Sequence, residues 1–331
     1  TPVAVKIPYP GKSEWAPIVS GSTEFAFNML NRMDLSLGNL VFSPISISSV
    51  FAMAYAGAEK DTASQMKEVL RYPLPKSRFH TAFGLLLSNL KAGASSDDFT
   101  LNLANSLWGG QEVPFRTDFL DTLRQAYAAE LGLLDFSTDP ESARQVINDW
   151  VAAQTEDRIQ EVLPPGSLSS STRLVLVNAI YFNALWEHPF NPDKTSPGEF
   201  DLLNGSEVVV DMMLIDEPVS LPYAQGEDWE AVALPYKGGQ AEMVILIPDE
   251  EYFPTFFSLL DEELYQSILD SLVGKEMLLS MPKFSFTTGF ALADDLASMG
   301  MPDAFDPARA DFSGMDGTTD LYIEDAYHLA F

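Results

Sequence analysis

The sequence predicts an α+β fold with more than one sheet, and three observations lead there. Helical periodicity dominates the first half of the 331 residues, and strand signals dominate the second. Two pairs of apolar runs are joined by tight-turn sequences, Asn204-Gly205 and Lys237-Gly238-Gly239. No internal repeat and no low-complexity linker divides the chain, so one domain over residues 1–331 is expected. With 46% hydrophobic and 11% aromatic residues the chain can fill a substantial core.

Taken in order, "TPVAVKIPYPGKSEWAPIVS" (1–20) is proline-rich, has no continuous apolar run, and is expected to be an extended leader. "STEFAFNMLNRM" (22–33) offers Ser22 or Thr23 as an N-cap and reads as a helix. "NLVFSP" is a strand broken at Ser43-Pro44, and the helix after it (46–57) is apolar nearly all round, the mark of a buried helix. Further helices are expected over 62–72, 78–93, 116–132 and 139–159, the last with Asp139 as N-cap and Pro140 at the first helical position. "FTLNLANSLWG" alternates and should be a half-buried strand, whereas "RLVLVNAIYFNALW" (173–186) is apolar on both faces and belongs inside a sheet. "FDLLNGSEVVVDMML" reads as a hairpin with a type I′ turn, and "WEAVALPYKGGQAEMVILIP" as a second hairpin. "EMLLSMPKFSFTTGF" is strand, "ALADDLASMG" is helix closed by Gly300, and "LYIEDAYHLAF" is a final strand.

Composition narrows the function classes. Forty-eight acidic against nineteen basic residues give a net charge of −29, a surface that repels nucleic acid and anionic membranes. An acidic coat on a secreted, halophilic or thermophilic protein accounts for it. The basic residues are scattered, and the densest set, Arg71, Lys76, Arg78 and Lys91, is followed by Asp97 and Asp98, so no heparin-like site is evident. There is no cysteine, hence no disulfide, thiol catalysis or cysteine metal site. His80, His188 and His328 are the only histidines, and no HExxH, GxSxG or GxGxxG occurs. Gly11-Lys12-Ser13 lacks the first P-loop glycine, since Lys6 stands there. No cofactor is expected, and the residues point away from an enzyme.

One stretch asks for its own explanation. "NLVFSPISISSVFAMAYAGAEKDTASQM" (39–66) sets Ser43, Ser46, Ser48 and Ser49 where burial is expected. This segment resembles the serpin family. So do "LNLANSLWGGQEVPFRTDFLDTLRQAYAAELGLLDF", "ARQVINDWVAAQT", "LVLVNAIYFNALWEHPF" and "MPKFSFTTGFALADDLASMGMPDAFDPARADFSGM", in the family's order. A departure stands at Asn183-Ala184, where the family commonly has a basic residue and glycine.

The resemblance implies about nine helices around three mainly antiparallel sheets, with a large central sheet A. It also implies a function: irreversible suicide inhibition of a serine protease by cleavage of a reactive loop, acyl-enzyme trapping and insertion of the loop into sheet A. Ser43, Ser46, Asn178 and His328 match the family's shutter cluster, and Trp186 matches its breach tryptophan, where loop entry begins. Read without the resemblance, Ser43 is equally a helix N-cap, Asn178 a satisfied core amide and His328 a buried neutral histidine. No catalytic residue and no metal ligand is expected. The implied partner is the target protease in a covalent complex with a monomer, to which the chain's own cleaved C-terminal peptide could add. The implied setting is extracellular or cell-envelope, without membrane insertion. A non-inhibitory serpin, acting as carrier, chaperone or structural protein, is the alternative. The family continues past a strand like "YHLAF" through a hinge, the reactive loop and two sheet B strands, so the reactive bond is expected outside this sequence.

Overall fold

A computed structural model describes residues 15–33, 38–96, 98–129, 131–324 and 326–330. In chain order its helices are α1 (Ala16–Leu30), α2 (Pro44–Tyr55), α3 (Lys60–Val69), α4 (Lys76–Gly93), α5 (Thr117–Tyr127), α6 (Pro140–Gln154), α7 (Phe253–Leu259), α8 (Glu262–Ser271), α9 (Ala293–Met299) and α10 (Ser313–Asp316). The strands are β1 (Ser95–Ser96), β2 (Phe99–Gly110), β3 (Leu131–Leu134), β4 (Leu174–Ala184), β5 (Ser196–Asp201), β6 (Glu207–Gln225), β7 (Trp229–Pro235), β8 (Glu242–Pro248), β9 (Val273–Pro282), β10 (Thr288–Ala291) and β11 (Ala326–Ala330).

The described strands pair into two sheets. One runs β1-β2-β4-β11-β10 with β3 on β2; the other runs β5-β6-β7-β8 with β9 on β6. Strand β6 is nineteen residues long. Its pairing with β9 shifts register between Ile215 and Val219, so one strand passes through an irregularity and carries β5 on one half and β7 on the other. The six-stranded sheet also departs from a purely antiparallel pattern, because β4–β11 and β2–β3 pair in parallel.

The chain forms two compact units. The smaller comprises 94–100 and 183–285, built on the five-stranded sheet around Leu221, Val232 and Leu234. The larger holds the rest of the described residues, with α2 in the centre of its core: Ser46 through Tyr55 are all buried, as the all-round apolar pattern requires. A second core cluster in that unit packs α6 on β4 through Ile147, Val151, Val175 and Val177.

Several boundaries differ from expectation for local reasons. The leader is helical from Ala16, six residues before the expected start; residues 1–14 lie outside the described residues. Pro17 fits the first turn, where no intrahelical N–H is required, so the proline there opens a helix instead of preventing one. The helix expected over 116–132 ends at Tyr127 because Ala128 turns left-handed (φ 49°), and Leu131–Leu134 leaves to pair with β2. The "NG" hairpin is not type I′. Only Gly205 has positive φ (77°), and the Asn204 carboxamide instead accepts from the Ser206 N–H at 3.0 Å and hydroxyl at 2.6 Å. The last strand spans only Ala326–Ala330, and "EMLLSMPKFSFTTGF" is interrupted after Pro282. Helices α7, α8 and α10 were not expected. Asp139 does cap α6, accepting from the Ser142 N–H, with Pro140 at its start. No described helix is long and apolar enough to cross a membrane.

Candidate functional site

In the larger unit, four of the singled-out residues meet where β4, β11 and α2 converge. Each is there for a backbone reason. Ser43 is the N-cap of α2, in extended conformation ahead of Pro44, and its Oγ accepts from the Ser46 N–H at 3.4 Å. Asn178 and His328 are direct register partners across the parallel β4–β11 ladder. Both are fully buried, among Leu176, Val177 and Ala179.

The hydrogen bonds fix the histidine's state. The Ser43 backbone N–H is a donor and reaches His328 Nε2 at 3.0 Å, so that nitrogen must be unprotonated. The ring proton therefore sits on Nδ1 and is donated to Asn178 Oδ1 at 2.7 Å. Asn178 Nδ2 in turn donates to Asn105 Oδ1. The result is a one-directional chain from α2 through β11 and β4 to β2. Burial holds the imidazole pKa down at about 4, and Phe290 of β10 stands edge-on to the ring at 5.6 Å. Val41 N–H donates to Thr288 Oγ1 at 3.3 Å, tying the residues before α2 to β10 as well.

The serine run divides. Ser49 Oγ donates to the Ile45 carbonyl at 2.5 Å, an ordinary helix back-bond, and the Ser48 carbonyl accepts from Tyr72 Oη at 2.7 Å. The hydroxyls of Ser46 and Ser48 are buried with no partner among the described residues. Ser46 thus joins the cluster through its backbone, not its side chain. Trp186 lies in the smaller unit, bridged to Tyr236 and stacked on its ring at 4.5 Å and 17°, with Phe190 edge-on at 6.0 Å.

Asn105 was missed, although a signal existed. Leu101, Leu103, Asn105 and Leu107 share one face of an alternating strand, so a carboxamide interrupts an apolar row. Thr288 had no such mark. Chemically this arrangement holds strands together. Among the described hydrogen bonds the Ser43 hydroxyl meets the Ser46 N–H and not His328, whose ring is neutral and already bonded at both nitrogens.

Comparison with known proteins gives the family. The chain is 36% identical over 320 residues to the leukocyte elastase inhibitor of Xenopus tropicalis, covering 94% of this chain and 84% of that protein. It is 35% identical over 315 residues to an uncharacterized serpin-like protein of Thermococcus kodakarensis, covering 95% and 72%. Among solved structures, emu ovalbumin superposes with a TM-score of 0.88 at 27% identity, covering 94% of this chain and 84% of that one. The family profile described as Serpin (serine protease inhibitor) matches residues 20–331, and the chain belongs to the serpin family.

Proposed function

We propose that the chain is an irreversible inhibitor of serine endopeptidases that works by loop cleavage, acyl-enzyme trapping and insertion of the cleaved loop between β4 and β11. The observation that supports this is the seam itself. Leu176–Ala179 and Ala326–Leu329 pair in parallel, the less stable ladder per residue. A segment that follows β11 and folds back runs antiparallel to both strands, so its insertion exchanges one parallel ladder for two antiparallel ones. That exchange favours insertion once cleavage frees the loop.

The polar chain suits such a seam. When β4 and β11 part, His328 keeps Ser43 and Asn178 keeps Asn105, so one side-chain hydrogen bond is given up. The net loss is about 1 kcal/mol. Interdigitated leucines at the same place would forfeit several times as much. Ser43, Ser46, Asn178 and His328 act in this reading as the shutter, and Trp186 as the breach residue where entry starts. The chain itself supplies no catalytic group. The protease's serine attacks the reactive carbonyl, the peptide bond breaks, the new amine leaves, and the ester is trapped before water reaches it. An extracellular or cell-envelope setting for the encounter is part of the proposal; fractionating expressing cells tests it.

The deciding experiment incubates the full-length protein with trypsin-, chymotrypsin-, elastase- and subtilisin-like proteases. A complex that survives boiling in detergent is the expected result. Clean cleavage with no complex and no gain in heat stability would make the protein a non-inhibitory serpin, a carrier, chaperone or structural protein.

A further inference from the structure

The larger unit contains a half-open cavity of about 1240 Å³ that loop insertion does not account for. Its walls come from α2, α4, the end of α5, β2 and α6. It is not slack in a helix crossing: a Cβ on Gly84 of α4 would lie 1.8 Å from the Ala126 carbonyl oxygen of α5, so those two helices are already in backbone contact. Apolar surface is supplied by Met53, Leu87, Leu103, Leu107, Trp108 and Trp150.

Against this apolar lining stands one misfit, His80, only 9% exposed. Its Nδ1 lies 2.7 Å from Tyr127 Oη. Burial raises the Tyr127 phenol pKa and keeps it neutral, and Nδ1 is its one hydrogen-bond partner among the described residues, so the hydroxyl is assigned as the donor to Nδ1. Burial, and then the charge of Lys76, lower the His80 pKa to about 4, which keeps the ring neutral. Its own proton is therefore on Nε2, and Nε2 has no partner among the described residues. A buried N–H donor without an acceptor costs about 1–3 kcal/mol, an arrangement that makes sense if something else supplies the acceptor. The charges nearby say what kind. Lys76 and Lys91 line the cavity against a single carboxylate, Glu59, which Lys76 pairs at 3.3 Å while also donating to the Ala58 carbonyl. On a chain of net charge −29, this lining is locally cationic.

We propose that the cavity binds a small carboxylate with an apolar body, a fatty or aryl acid, whose carboxylate accepts from His80 Nε2–H, one helical turn from Lys76, while its tail lies along Leu103 and Leu107. The site is independent of protease inhibition and stands whether or not the chain inhibits.

Titration calorimetry at neutral pH with dodecanoate, kept below its micelle concentration, tests it. Saturable binding of one molecule per chain is expected. Dodecyltrimethylammonium, with the same tail and the opposite charge, should bind at least about tenfold more weakly, as should dodecanoate to His80→Phe, because a hydrogen bond to a charged group is lost. Thr81→Trp, introduced from the exposed side of α4 into the cavity lining, should abolish binding while leaving the core untouched. Equal binding of the cationic tail, unchanged affinity in His80→Phe, or no saturable binding overturns the proposal. Should His80→Phe fail to fold, the Nε2–H resonance of ¹⁵N-labelled His80 decides in the parent protein. It shifts on saturation if the carboxylate sits there, and a resonance unmoved at saturation rejects the site.

Discussion

His328 is neutral because both of its nitrogens are already committed. Protonating Nε2 would set a ring N–H against the Ser43 N–H, donor facing donor, in a buried site. Its folded pKa of about 4 lies below the ordinary 6.5, so the folded state binds fewer protons than the unfolded chain. The stability this confers is complete above pH 6.5 and is lost as pH falls toward 4, a term on the order of 3 kcal/mol. His80 behaves the same way and contributes a similar term. We expect His328→Phe, which keeps the ring volume but has no titrating group, to be less stable than the parent at pH 7 by about 2 kcal/mol. Its urea midpoint should also fall between pH 7 and pH 5 by roughly half as much as the parent's. An equal fall in both would mean that His328 is not the titrating group. At this scale the serine run stood out as hydroxyls in an apolar stretch, whereas Asn178 and His328 were singled out only through the resemblance to the serpin family. The sequence was silent on tautomer and direction, which depend on a backbone N–H brought from 285 residues away.

Helix α6 shows what one element does with two polar side chains. Asn148 Oδ1 accepts from the Val162 and Leu163 N–H groups at 3.0 and 2.9 Å, and its Nδ2 donates to the Leu163 carbonyl at 2.9 Å. Arg144, one turn earlier, donates to the same carbonyl at 2.7 Å and pairs with Glu141 and Glu161. These two side chains do for residues 161–163 what a neighbouring strand would do, satisfying buried backbone groups one by one. Asn148→Ala strands two buried N–H groups, and a loss of about 2–5 kcal/mol is expected. Hydrogen exchange should then show Val162 and Leu163 unprotected, whereas Asn148→Asp, which still accepts from both, should keep most of their protection. Exchange unchanged in Asn148→Ala would show that the segment is held by its apolar contacts. The start of α6 was legible because Asp139-Pro140 is a local signal. The end of α5 was not, because Ala128 carries no mark of its left-handed turn and the strand after it forms only through pairing with β2. Likewise α7 and α8 lie in a stretch whose helical period went unrecognised between two strong hairpin signals.

The whole molecule carries 48 acidic against 19 basic side chains, and its described ion pairs engage few of them. Self-repulsion of this kind is screened by salt. Raising NaCl from about 0.01 to 0.5 M should therefore raise the thermal midpoint by about 1–2 °C, through a gain on the order of 1 kcal/mol. A midpoint that falls with salt would mean that attractive pairs outweigh the net charge. Fold class was legible at this scale from the run of helices followed by hairpins. Strand order was not, since alternation and β-propensity mark a strand without naming its neighbour. The parallel neighbours β4 and β11 show the difficulty, because each reads as an interior strand and nothing local joins them.

That same placement of β11 between β4 and β10 has a consequence for biosynthesis. A ribosome adding about 5–20 residues per second needs roughly 10–30 s to travel from β4 to β11. Until then the apolar edge of Leu174–Ala179 has no partner on one side. A nascent sheet with an open interior slot is a template for other chains, so crowding on polysomes and the supply of holdase chaperones, more than the finished fold's stability, should govern how much of this protein a cell recovers in active form.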